Sequence, residues 1–175
     1  MVCRCDSKWI WLVLMVSTAA SPSIHAASKS ATVGITAEVL PACTAGSTVP
    51  ATLGQFGTLD FGTHLDLAAQ VTVVGQAGAG ALRVNCLTNT PYRVLISAGG
   101  SGNVNARRMT GPSAAQVSYN LYTSATYATV WDNSIGVTGT GNGQDQLLPV
   151  YGRVPVQATP LSGTYTDTVT VTVSW

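Results

Sequence analysis

Charge is the first scarcity in this chain. Asp, Glu, Lys and Arg make up 9% of its 175 residues, and the formal net charge is +1. Nucleic acid is held by rows of Lys and Arg set against phosphate, and a surface this poor in cations carries no such footprint. Low charge also gives little colloidal repulsion, which suits a protein meant to assemble. Histidine is scarcer still, at two in the chain. No His or Cys pair has the spacing of a metal site. Catalysis needs a base beside a nucleophile, or paired carboxylates in a cleft; scattered acids and a near absence of histidine offer neither, so no catalytic residue is assigned and an enzyme is not expected. Missing too is any sustained apolar stripe at i, i+3, i+4 and i+7 with capping residues, which excludes long helices. The single long apolar run, residues 9–20, is too short to span about 30 Å of hydrocarbon.

That run has a different use. Arg4 and Lys8 precede it, Ser21, Pro22 and Ser23 break it, and Ile24-His25-Ala26 follows with a small residue at its end. This is the layout of a secretory signal peptide, residues 1–26, cleaved after Ala26 and taking Cys3 and Cys5 with it. The mature chain, residues 27–175, is long enough for one domain with a core of its own. It carries Lys29, Arg83, Arg93, Arg107, Arg108 and Arg153 against Glu38, Asp60, Asp66, Asp132, Asp145 and Asp167, so its charges cancel. Two cysteines remain, Cys43 and Cys86. In an exported protein an isolated pair is most simply one disulfide, worth roughly 4 kcal/mol for a loop of this length on the chain-entropy account. Metal binding is the competing reading, but His64 is the one histidine left to join them.

What the chain has in abundance is period-two alternation. The stretch GTYTDTVTVTVSW sets Tyr165, Asp167, Val169, Val171, Val173 and Trp175 on one parity and Thr166, Thr168, Thr170, Thr172 and Ser174 on the other. Alternating β-branched residues predict a strand. With no further strand after it, its free edge needs cover from elsewhere. Other runs read as strands near 31–40, 57–62, 70–75, 80–88, 91–98, 106–110, 116–123, 127–132 and 147–158, while GGSGN and GTGNGQ read as hairpin loops or flexible connections. Many short strands predict an all-β antiparallel sandwich. Ala31, Val33, Ile35, Ala37 and Val39 form an apolar side on the segment before Cys43. That segment is either the first strand of the sandwich or a strand that serves another domain.

Four pieces in order, ARRMTG at 106–111, VSYNLYTS at 117–124, VYGRVPVQ at 150–157 and the C-terminal GTYTDTVTVTVSW, resemble the spore coat protein U domain found in Csu-type pilins of archaic chaperone–usher pili. The resemblance covers essentially the whole mature chain, and the Cys43 to Cys86 separation matches the family disulfide. It implies a single immunoglobulin-like β-sandwich over residues 43–175 that lacks its last strand and is completed by donor-strand exchange. Residues 27–42 are then the donor segment, with Val33, Ile35, Ala37 and Val39 inserting into a neighbour. Tyr165, Val169, Val171, Val173 and Trp175 line the acceptor groove. The implied partners are other pilin subunits, a periplasmic chaperone and an outer-membrane usher, with no cofactor, small-molecule substrate or nucleic acid. The implied location is the cell surface, reached through the periplasm, as a fimbrial fibre for adhesion and biofilm formation. Burying four or five donor side chains is worth on the order of 5–10 kcal/mol, comparable with the stability of a whole domain. Head-to-tail insertion is a heterologous contact that does not close, so it yields a fibre. The alternatives are a carbohydrate-binding adhesin module and a non-fibrous coat or envelope protein of the same fold.

Several smaller features carry bland readings. Residues 75–80 are Gly-rich but have no following Lys-Ser/Thr, and read as a turn. Asp60, His64 and Asp66 read as solvated loop. Arg107-Arg108 reads as a surface or strand-edge pair. Tyr119, Tyr122, Tyr127 and Trp131 are candidates for a sugar platform, although aromatics in a sandwich are more often core.

Overall fold

The computed structural model describes residues 37, 42–46 and 56–175. The chain divides into two compact units, Met1–Glu38 and Val39–Trp175. Of the first, Ala37 alone is described, and it is exposed. Val33 and Ile35, and Val39 at the start of the second unit, lie outside the described residues.

Eleven short strands make up the described part of the second unit: β1 (Cys43–Gly46), β2 (Val71–Val74), β3 (Leu82–Cys86), β4 (Pro91–Ile96), β5 (Arg108–Thr110), β6 (Gln116–Ser118), β7 (Asn120–Tyr122), β8 (Val137–Thr140), β9 (Asp145–Leu148), β10 (Tyr151–Val154) and β11 (Val171–Ser174). Every strand pair is antiparallel. They form three sheets of three strands, ordered β1-β3-β9, β2-β10-β7 and β11-β4-β8, plus the β5-β6 pair. The fold is all-β, as the alternation predicted. Its helical content among the described residues is two single 3-10 turns, Gly99–Ser101 and Pro112–Ala114.

One core joins the sheets. Leu82, Val84 and Cys86 point inward from β3, Tyr92, Val94 and Ile96 from β4, and Val117, Tyr119, Leu121, Trp131, Val150 and Val154 complete the cluster. In β3 and β4 every second residue is buried because successive side chains leave a strand on opposite faces. Trp131 sits at the centre, 1% exposed, and its indole Nε1 donates to the Val94 carbonyl at 2.9 Å. That bond satisfies the one polar atom the ring brings inside.

Local differences from the sequence reading have identifiable causes. Residues 57–62 form no strand apart from a bridge between Gly57 and Ala79. Asp60 accepts from the Gly62 amide at 2.8 Å and His64 contacts the Phe61 carbonyl at 2.7 Å, so side chains take the place of a ladder. Leu59 and Phe61 still pack on the core. GTGNGQ is not a hairpin loop. Gly139 and Thr140 belong to β8, where a side chain at Gly139 would strike the Tyr92 ring. The chain then crosses from the β4 sheet to the β3 sheet through the 141–144 turn. In 164–175 only Val171–Ser174 is laddered, yet the alternation of half-buried and exposed residues continues back to Tyr165.

Candidate functional site: an open-edged C-terminal strand

Among the described residues, β11 has one strand partner, β4, with Val171 opposite Ile96 and Val173 opposite Val94. Ile96 and Val94 are fully buried, at 1% and 0% exposure. Val171 and Val173, on the same sheet face, are only half-buried, as are Tyr165 and Val169 before them. All four pack against the core without being enclosed by it. Trp175, next on the same parity, is 60% exposed. The strand therefore combines an edge lacking a described ladder partner with a row of apolar side chains covered on one side only. Both features favour an added strand: the edge offers N–H and C=O groups with no ladder partner among the described residues, and the row gains by being shielded from water.

β1 is the corresponding edge of the β1-β3-β9 sheet. Cys43 and Cys86 are register partners there and are joined as a disulfide. The ladder extends one step beyond, with Leu87 N–H donating to the Ala42 carbonyl at 3.1 Å. β1 is thus covalently anchored at its first residue.

The approach to β11 is tied down by side-chain and backbone contacts that have no signature in the alternation. Asp167 Oδ1 accepts from the Gly100 and Thr168 amides at 2.9 and 2.8 Å, and its Oδ2 accepts from the Tyr119 hydroxyl at 2.7 Å. Thr166 and Thr110 exchange both backbone hydrogen bonds, at 2.9 and 3.1 Å. Thr170 donates to Ser97 Oγ at 2.8 Å, and its carbonyl accepts from Ser97 N–H at 2.9 Å. Burial, and then the bond to Asp167, hold the Tyr119 pKa above the ordinary tyrosine value.

Arg107 corrects the surface reading of the Arg107-Arg108 pair. Its side chain is fully buried. Nε and Nη2 donate to the Ser97 carbonyl at 2.9 and 2.7 Å, Nη2 also to Ile96 and Trp131 carbonyls at 3.0 and 2.8 Å, and Nη1 to Asn120 Oδ1 at 2.7 Å and the Val104 carbonyl at 3.4 Å. A planar fork of five N–H donors suits such a ring of carbonyls. Burial pulls its pKa down, opposed by nearby Tyr119, Asp167 and Asp132. Arg108 does lie on the surface and donates to Gln116 Oε1 at 2.8 Å. The signal was present in the sequence: Arg107 shares parity with Met109, which packs on the core.

The sugar-platform candidates do not form an open face. Tyr119, Tyr122 and Trp131 are buried. Tyr127 meets Tyr122 edge-on at 5.4 Å, and the Arg153 guanidinium lies over Tyr122 at 4.7 Å. These rings spend their faces on one another and on Arg153.

An antiparallel β-domain with a Cys43–Cys86 disulfide, a buried carbonyl-binding arginine and a C-terminal strand that has one partner among the described residues is the class the geometry defines. The sequence profile of the Spore Coat Protein U domain matches residues 29–172, and the chain belongs to that family. It is 33% identical over 162 residues to Protein U of Myxococcus xanthus, covering 86% of this chain and 87% of that one. Among solved structures it is similar to a chain of the CsuC-CsuE chaperone–tip adhesion subunit pre-assembly complex from archaic chaperone-usher Csu pili of Acinetobacter baumannii, with 26% identity and a TM-score of 0.47. That match covers 78% of this chain and spans 40% of the solved chain.

Proposed function

We propose that the protein is a structural subunit of a surface fibre assembled by a chaperone–usher system, and that it polymerises by donor-strand complementation. The observation that carries this reading is the state of β11: one described strand partner and a half-covered row of Tyr165, Val169, Val171 and Val173, ending at exposed Trp175. An incoming strand would pair its backbone with the free edge and lay apolar side chains over that row. Residues 27–42 are the strand offered to the next subunit, with Val33, Ile35, Ala37 and Val39 as the inserted side chains. Membership of the Spore Coat Protein U family supports the reading. A periplasmic chaperone would supply the first covering strand, an outer-membrane usher would direct the exchange, and the fibre would stand on the cell surface for adhesion and biofilm formation. No chemistry is assigned to the domain.

The test is co-expression with the cognate chaperone and usher. Polymers that form a ladder on SDS gels without heating, and collapse to monomer on boiling, are the expected result. Deleting residues 27–40 should abolish the ladder and leave chaperone binding intact. A ladder that persists after the deletion would overturn the donor role.

A further inference from the structure

Resting on the strand-acceptor reading, we propose that Asp167 is a positioning residue for β11, holding in place the edge that lacks a described partner before any partner strand arrives. A four-residue terminal strand with one ladder partner among the described residues is the kind of element that frays. Here, three points just ahead of it are tethered, and every tether belongs to another part of the same domain. Thr166 is paired with Thr110 of β5. Asp167 is fastened to the Gly99–Ser101 turn through Gly100 and to the core through Tyr119, whose ring is itself buried. Thr170 is fastened through both its N–H and its carbonyl to Ser97, at the end of β4. Ser97 is in turn fixed by two hydrogen bonds from Arg107, which also grips Ile96 and Trp131. The line from Arg107 to Ser97 to Thr170 ends one residue before β11 begins.

The surroundings are shaped to admit these contacts. A Cβ at Gly99 would collide with the Asp167 carboxylate, and one at Gly111 with the Tyr165 ring. GTYTD, some forty residues further along the chain, meets the neighbouring ARRMTG and VSYNLYTS in this one place through Asp167, Tyr119 and Arg107. An edge held in register spares the incoming strand the ordering of its acceptor, which raises affinity without adding a contact.

The experiment uses the full mature chain with a synthetic peptide of residues 27–42. It reads two quantities: amide exchange in β11 against β3, and the rate of peptide capture. Asp167→Ala removes three hydrogen bonds and should speed β11 exchange by roughly ten- to a hundredfold while leaving β3 unchanged, with slower peptide capture. Asp167→Asn keeps an acceptor at Oδ1 and should recover most of the loss. Should Asp167→Ala fail to fold, Tyr119→Phe deletes a single hydroxyl and should raise β11 exchange several-fold, on the order of one hydrogen bond. Unchanged β11 exchange in the folded variants overturns the proposal, and so does β3 exchange rising in parallel, which would mark a general structural role. If the unaltered chain captures no peptide, the strand-acceptor reading fails, while β11 exchange still decides whether the clasp exists.

Discussion

Met in place of Arg107 keeps the length and apolar stem of the side chain and deletes its guanidinium. In the native fold that group donates to the carbonyls of Ile96, Ser97, Val104 and Trp131 and to Asn120 Oδ1. Asn120 Oδ1 retains the Leu121 amide as a donor at 2.9 Å, so its loss is partial. For the carbonyls, a buried acceptor left unsatisfied costs about 1–3 kcal/mol. Relief from burying a charge offsets part of the sum. The expected loss is therefore about 3–5 kcal/mol, a large share of the 5–15 kcal/mol typical of a whole domain. Urea denaturation of the oxidised chain over residues 27–175 should show the midpoint falling by roughly 2 M. Arg107→Lys keeps the charge but not the planar fork and should recover only part of the loss. Arg108→Met, at an exposed residue, should shift the midpoint by little. Because no carboxylate among the described residues contacts the Arg107 guanidinium at hydrogen-bond distance, the loss should depend little on salt. A destabilisation below about 1 kcal/mol for Arg107→Met, or full rescue by Lys, would refute the reasoning that carbonyl geometry is what the side chain serves.

Acid should erode stability through Asp132, whose pKa is lowered chiefly by the Ser134 amide, with Gly136 and Ile135 amides helping. A depressed folded pKa contributes stability that is present above the unfolded value near 4 and is lost as pH falls through the folded one, so Asp132→Asn should flatten the acid limb of a stability–pH curve below about pH 4. Replacing Cys43 and Cys86 together with Ser should cost roughly 4 kcal/mol on the chain-entropy account for their sequence separation of 43; a thermal melt of the double variant matching that of the oxidised chain would show that the β1–β3 ladder needs no crosslink.

The stretch 164–175 shows how far alternation reaches. Its parity separated Tyr165, Val169, Val171 and Val173, which pack on the core, from the exposed threonines, but Trp175 on the same parity is 60% exposed. It did not reveal that the ladder is confined to Val171–Ser174, because the preceding residues are held by Asp167, Thr166 and Ser97 contacts that have no signature at period two. Gly139 misled for a related reason: glycine marks turns in a sequence, but here it makes room for the Tyr92 ring inside β8. Met109 pointed to the buried side of Arg107, yet the general rule that arginine pairs are solvated overrode the local parity.

By itself the sequence determined the all-β class, the single crosslink between Cys43 and Cys86, and the family, because side-chain direction along a strand, cysteine count and motif order are properties of the chain alone. Only the tertiary structure decided which of two adjacent arginines goes inside, which carbonyls it serves, and how little of the C-terminal strand is enclosed. Those depend on Asp167 being brought back beside Ser97, Arg107 and Tyr119 as the strands pair, and on which faces the described sheets leave uncovered.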